Sequence, residues 1–318
     1  MDRITKFPLL DETGQEIVSS LEEINNSMGD YIASNNPYYA YLEDRKIGTL
    51  LSTEITKVRD YGLYKRESLM KIDLPKCINV GTYAFYNCSS LENVNLPECI
   101  NVGEYAFYNC EKLKQFNALK VTKIESSVFT GCKSLLNVEV PECTNVGILA
   151  FEDCIALSNV NIPKCTNVGM FAFDSCKSLE SIELTECINV GIGAFIDCTA
   201  LKKIELPKCV TLEGTVFKSC KSLSVITLPE CVEINSYTFQ YCSALETIDA
   251  PKCIEVKNNA FERCNNLKNV NLPECVEVNS QSFLLCTSLS KIIFQKIEIL
   301  DMLAFQDCSN LETLIIKN

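Results

Sequence analysis

Residues 81–102 read GTYAFYNCSSLENVNLPECINV, and residues 103–124 read GEYAFYNCEKLKQFNALKVTKI. Set one beneath the other, Gly81 meets Gly103, Phe85 meets Phe107, Cys88 meets Cys110 and Leu91 meets Leu113. The match continues down the chain. Phenylalanine stands at 22-residue intervals from Phe85 to Phe305, with a cysteine three residues later (Cys88 to Cys308) and a leucine three residues after that (Leu91 to Leu311). Eleven in-register copies describe a stacked array in which each rung touches only its neighbours. They move the question of function from a pocket to a surface.

Within one copy, Leu91 to Leu96 reads L-x-x-V-x-L, the alternation of a short strand with one face turned inward. Pro97 ends that strand, because proline cannot donate to a ladder. Eight rungs carry this proline, and Leu119, Thr185 and Gln295 stand in its place elsewhere. The Val-Gly step at Val102–Gly103 turns the chain, and the Ala-Phe segment is expected to form one helical turn on the outer side. The inward positions of the first full copy are Val80, Ala84, Phe85, Cys88, Leu91, Val94, Leu96 and Cys99. With a cysteine three residues after the last leucine, the copy matches the leucine-rich repeat pattern. A single rung buries too little to fold alone, so stacking must supply the rest.

The chain has 20 cysteines, no histidine and no tryptophan. Eleven cysteines fill the Cys88 column. The other nine fill a second column, from Cys77 to Cys275, in which Val121 and Ile297 replace the sulfur. An aliphatic residue substitutes there, so the column reads as small buried hydrophobes. Neighbouring rungs lie about 4.8 Å apart with parallel Cβ vectors, whereas a disulfide needs Cβ atoms about 3.8 Å apart, which favours free thiols. The even gaps follow from the repeat, and no C-x-x-C motif points to a metal. Lack of histidine removes the commonest general base and rules out Ser-His-Asp and Cys-His chemistry within one chain. No catalytic, cofactor-binding or metal-binding residues are assigned, and an enzyme is not expected. A net charge of −12 argues against nucleic acid, and no apolar run is long enough for membrane insertion.

The string Gly-x-x-Ala-Phe-x-x-Cys-x-x-Leu-x-x-Val-x-Leu-Pro, whole from Gly81 to Pro97, resembles the BspA-like leucine-rich repeat over residues ~55–318. The resemblance implies a right-handed α/β-type solenoid with parallel β-strands on one face and short helical or 3-10 turns on the other. It also implies recognition or adhesion rather than catalysis, since many members are bacterial surface or host-contact proteins. A second string, Phe7-Pro-Leu-Leu-Asp-Glu-Thr-Gly-Gln-Glu-Ile-Val-Ser-Ser-Leu, is similar to leader segments of phage or prophage tail-associated proteins. It implies the alternative of a structural or receptor-binding subunit of a phage-like tail particle.

The ends depart from the repeat. Residues 1–32 are expected to form a helical segment, with Asp11 as N-cap and Ile17, Leu21, Ile24 and Met28 as an apolar stripe for packing or self-association. Residues 33–76 read as an N-terminal cap and a degenerate first repeat, with Leu63 and Leu69 in the repeat columns, Arg66 replacing cysteine, and an added edge strand at Ile47–Leu51. Residues 77–318 hold the eleven repeats. The last strand, near Leu314, offers an open apolar edge as a second self-association surface. The opening MDRITKFPLLDETGQ shows neither an apolar h-region nor a small-residue cleavage site, which predicts a chain that is cytoplasmic or released in a particle unless a leader has been trimmed.

A protein or glycan partner is expected on the solenoid surface. On the strand face one polar column holds Asn93, Asn137 and Asn159, and its neighbour holds Asn95, Glu139, Asn161, Glu183 and Glu205. Together they predict a mildly acidic, concave surface. Ile293 and Ile315 interrupt the second column with an apolar patch. Tyr83, Tyr86, Tyr105 and Tyr108 sit on the outer turns as further candidate contacts. The residue before the second cysteine column alternates from Lys76, Glu98 and Lys120 to Glu274 and Lys296, so opposite charges meet between rungs.

Overall fold

The computed structural model describes Leu9–Leu10, Glu16–Val18 and residues 48–317. These fall into two compact units, residues 1–143 with 153–160, and residues 144–152 with 161–318. Each is a stack of rungs carrying two ladders of parallel strands.

In the first unit the face expected from L-x-x-V-x-L is built by Thr49–Leu51, Lys71–Asp73 and Asn93–Asn95, paired in parallel with Thr49 opposite Lys71 and Lys71 opposite Asn93. Gln115–Asn117 and Asn137–Glu139 pair in the same way. In the second unit Val225–Thr227, Thr247–Asp249 and Asn269–Asn271 form one run, and Lys291–Phe294 pairs with Thr313–Ile316. Every partner is offset by one repeat, because a slip of a single residue would turn the inward Ile and Val side chains to water.

The Val-Gly step is itself a strand. Two-residue strands at Asn79–Val80 and Asn101–Val102 stack in parallel in the first unit, as do Asn167–Val168, Asn189–Val190 and Thr211–Leu212 in the second. Gly81 and Gly103 are needed for close approach rather than for a left-handed turn. A Cβ on Gly81 would lie 2.4 Å from the Asp60 nitrogen, and one on Gly103 would lie 2.5 Å from the Thr82 nitrogen.

The expected helical or 3-10 turns are absent: no helix occurs among the described residues. Instead Tyr83 and Asn87 adopt left-handed φ values of 55° and 56°, and the same two columns do so in nearly every rung, with Gly131 and Gly193 among them. Such residues break the run of right-handed dihedrals that a helix requires. The amides of this segment alternate. Those of Tyr83, Phe85 and Asn87 donate to Glu104, Ala106 and Tyr108 of the next rung, while those of Ala84, Tyr86 and Cys88 close turns within their own. Half the donors that a helix would satisfy internally are thus used between rungs. A helix is about 10 Å across and cannot repeat at the strand spacing of about 4.8 Å, whereas these flat turns can. The turns therefore step with the strands, one per rung.

The column phenylalanines from Phe85 to Phe283 are fully buried. In the first unit Phe85 and Phe107 stack with centroids 5.2 Å apart, and in the second Phe173 and Phe195 stack at 5.1 Å. Of the eight inward positions in the first full copy, Val94 alone is half-buried; the others are closed to solvent. At the N-terminal side Leu9–Leu10 pairs antiparallel with Thr49–Leu51 and with Glu16–Val18. Strands at Leu9–Leu10 and Glu16–Val18 depart from the helical segment expected over residues 1–32. Ile17 lies in the second of these strands, while Leu21, Ile24 and Met28 lie outside the described residues.

Candidate functional site

The outward residues of the three-residue strands form the candidate surface. Alternation along each strand sends one side chain inward and its neighbours out, so Ile226 is buried while Val225 and Thr227 face solvent. In the first unit Asn93, Asn95 and Asn159 are exposed, and Asn137 and Glu139 are half-buried. The Asn95 amide donates to Asp73 Oδ1 at 2.8 Å, one rung back. In the second unit Asn161 and Glu183 are exposed, and Glu205 is half-buried with its carboxylate 2.6 Å from Lys203 Nζ. Farther along, Asn271 donates to Asp249 Oδ1 at 2.6 Å and Asn269 to Thr247 Oγ1 at 3.2 Å. Ile293 and Ile315 stand opposite each other in register, both half-buried. Thr313–Ile316 pairs with one strand among the described residues, and its inward Leu314 and Ile316 are 41% and 45% exposed.

Two shallow depressions open on this face within the second unit. One of about 560 Å³ is lined by Lys203, Glu205, Val225 and Thr227. The other, of about 730 Å³, is lined by Thr247, Asp249, Asn269, Asn271, Lys291 and Ile293. Val225, 52% exposed, was not singled out from the sequence, although it is the one aliphatic residue in an otherwise polar column. Donors and acceptors are mixed along both depressions, and neither holds a set of converging unlike groups. Their chemistry is that of hydrogen bonding to an extended partner.

The four tyrosines occupy the turn segments, not the strand face, and do not join this site. Tyr61, Tyr83 and Tyr105 form one stack, with Tyr83 and Tyr105 centroids 4.7 Å apart, and Tyr64, Tyr86 and Tyr108 form a second, with Tyr86 and Tyr108 also 4.7 Å apart. Ring faces are used up inside the stacks, which leaves edges and hydroxyls toward solvent. Burial, and then the neighbouring tyrosines, push the Tyr83 and Tyr86 hydroxyl pKa values up.

All twenty cysteines are free, and all but the half-buried Cys308 are buried. In the first column each thiol donates to a carbonyl of the preceding rung, as Cys110 does to Phe85 at 3.2 Å and Cys198 to Phe173 at 3.1 Å. In the second column it donates two residues ahead, as Cys165 does to Asn167 at 3.2 Å. Burial pushes the Cys88 and Cys99 thiols up to about 12 and those of Cys187, Cys231 and Cys275 up to about 11. These thiols stay protonated and unreactive at neutral pH. No group of three or more ligating side chains among the described residues is placed to hold a metal ion, and no described helix is long and apolar enough to cross a membrane.

Parallel ladders at a 22-residue offset, wrapped around columns of phenylalanine, cysteine and leucine, define a leucine-rich-repeat solenoid. A family model described as BspA type leucine rich repeat region matches residues 56–168, 122–246 and 210–318, and the chain belongs to that family. Among solved structures, a leucine-rich cell surface protein from Faecalibacterium prausnitzii is similar at 23% identity and a TM-score of 0.51, covering 83% of each chain. A leucine-rich repeat protein from Bacteroides ovatus is similar at 18% identity and a TM-score of 0.54, covering 85% of this chain and 82% of that one. One from Eubacterium ventriosum is similar at 18% identity and a TM-score of 0.50, covering 87% and 86%. These likenesses show the fold. No relative matches among curated proteins.

Proposed function

We propose that this chain is a non-enzymatic recognition or adhesion protein that takes a protein or glycan partner on its strand face. The observation that carries the reading is the face itself. Its side chains contribute nothing to the core, yet they form an ordered array of amides, carboxylates and ammonium groups over successive rungs. Such an array suits an extended partner that hydrogen-bonds at many points. The surface location stated for the Faecalibacterium protein supports an adhesive role here. The phage-tail alternative rests on residues 7–21 and gains nothing from the fold.

The test is binding of the intact chain to arrays of glycans and of matrix proteins, repeated with Asp249→Ala, Asn271→Ala and Lys291→Ala combined. These side chains are exposed or half-exposed, so the variant is expected to melt with the parent. Loss of a ligand captured by the parent supports the reading, and the array on which it was captured tells glycan from protein. Undiminished capture by the variant removes the strand face from consideration.

A further inference from the structure

A second surface lies beside the two-residue strands of the second unit. Ile188, Val210, Val232 and Ile254 occupy one column on consecutive rungs and are 43%, 43%, 41% and 45% exposed. Val276 continues the column, half-exposed. These residues are β-branched, which the ladder favours. Their lack of polarity has no such explanation. Thr144 and Thr166 fill the same column earlier in this unit with equivalent backbone bonds: Thr166 N to Thr144 O is 2.9 Å, and Ile254 N to Val232 O is 2.8 Å. Threonine serves the fold there, so the aliphatic run is in excess of what the fold requires.

The two flanks of the stripe differ. On one side Lys208 pairs with Glu186 at 2.7 Å and Lys252 with Glu230 at 2.5 Å, and the row is internally neutralised. On the other side Glu233, Glu255 and Glu277 stack in register on consecutive rungs. Lys257 reaches Glu233 at 2.8 Å and Glu255 at 4.0 Å, one ammonium against three carboxylates, so this flank is net negative. The stripe is thus an exposed aliphatic column with a neutralised flank on one side and an acidic flank on the other.

We propose that this stripe binds an amphipathic helix from a partner protein, laid along the stack, with aliphatic residues at i and i+3 or i+4 spacing and lysine or arginine on one flank. The choice of a helix is geometric. Rungs advance by about 4.8 Å, and a helix advances about 5.4 Å per turn, so its apolar side chains fall out of step by only about 0.6 Å per rung. A strand in the same direction repeats each face every ~6.7 Å and loses about 1.9 Å per rung. Five rungs span about 19 Å, the length of about 13 helical residues. The choice of a basic flank follows from the acidic row of Glu233, Glu255 and Glu277. This surface is separate from the strand face, and either can fail without the other.

The probe is a labelled 16-residue helical peptide with leucines at that spacing and lysines on one flank, titrated by anisotropy into the intact protein. Its counterpart carries glutamates in place of the lysines. The basic peptide is expected to bind at least about ten-fold more tightly than the acidic one. Val232→Thr with Ile254→Thr, a change the fold already accepts at Thr144 and Thr166, is expected to weaken it about ten-fold with the melting temperature little changed. Glu233→Gln with Glu255→Gln should narrow the gap between the peptides. Absence of binding, equal binding of both peptides, or full affinity in the threonine variant overturns the proposal.

Discussion

The thiol of Cys110 donates to the main-chain oxygen of Phe85, 3.2 Å away on the preceding rung, and the same bond recurs from Cys220 to Phe195 at 3.1 Å and from Cys264 to Phe239 at 3.1 Å. The first cysteine column thus ties each rung to the one before it as well as filling core volume. In the second column the thiol bonds within its own rung, as Cys209 does to Thr211. Val121 already stands in that column, fully buried. Cys209→Val should therefore cost little, whereas Cys220→Val should cost about 0.5–1.5 kcal/mol, because it removes a bond between rungs and leaves the Phe195 oxygen with the Cys198 amide alone. Urea melts of the two variants check the difference; equal losses would remove the structural role of the bond.

The same burial makes stability pH-dependent on the alkaline side. A folded-state thiol pKa pushed up to about 12, as for Cys88 and Cys99, lies above its unfolded value near 9. The folded chain then holds more protons than the unfolded one. This contribution is complete below pH ~9 and is lost as the pH rises toward 11–12, at about 1.4 kcal/mol per thiol per pH unit in the limit. Denaturant midpoints should be level from pH 7 to 8.5 and fall steeply above pH 9. A flat profile to pH 11 would mean that the thiols are not buried in solution.

The charge row works in pairs. Lysine bridges the glutamate of the preceding rung at Lys76–Glu54, Lys120–Glu98, Lys208–Glu186, Lys252–Glu230 and Lys296–Glu274, which extends the alternation back from Lys76 to Glu54. All these partners are about half exposed, so each pair is worth at most about 1 kcal/mol. Lys252→Glu should lower stability by up to that amount, and adding Glu230→Lys should restore most of it. The effect should shrink in 1 M salt. Failure of the second change to rescue the first would mean that the row acts as a continuous ladder and not as pairs.

Gly193 is one of two described glycines, with Gly131, held in the left-handed region. Its φ is +62°, and an added Cβ would sit 2.4 Å from the Phe171 ring. Gly193→Ala is expected to cost about 2 kcal/mol or more, from left-handed strain together with displacement of the ring. Thr215, next in the same column at φ 60°, is the reverse case, and Thr215→Gly should be neutral or stabilising despite loss of its hydroxyl bond to Gly214. Thermal melts of both variants settle the sign.

Core packing falls off toward the C-terminal rung. Phe195 is fully buried and stacked at 5.1 Å on Phe173, while Phe305 is half-exposed although it stacks on Phe283 at the same distance. Phe195→Ala should cost about 3–5 kcal/mol and Phe305→Ala distinctly less. Calorimetry on the pair tests whether burial or stacking dominates the phenylalanine column.

The sequence by itself determined the rung length, the columns that face inward and the parallel register, because a 22-residue repeat of phenylalanine, cysteine and leucine can bury those residues only by stacking like on like. It also marked the strand-face columns as outward, through their polar alternation. It did not carry the conformation of the outer turns. That depends on whether an amide bonds within its rung or across to the next, and the answer comes from the distance between rungs, which no single copy encodes. Exposure of the Ile188 to Val276 stripe and the backward pairing of the lysines were likewise decided in three dimensions. An aliphatic residue reads as core until its neighbours fail to cover it, and a charge between two opposite charges has no preferred partner until the backbone sets which is nearer.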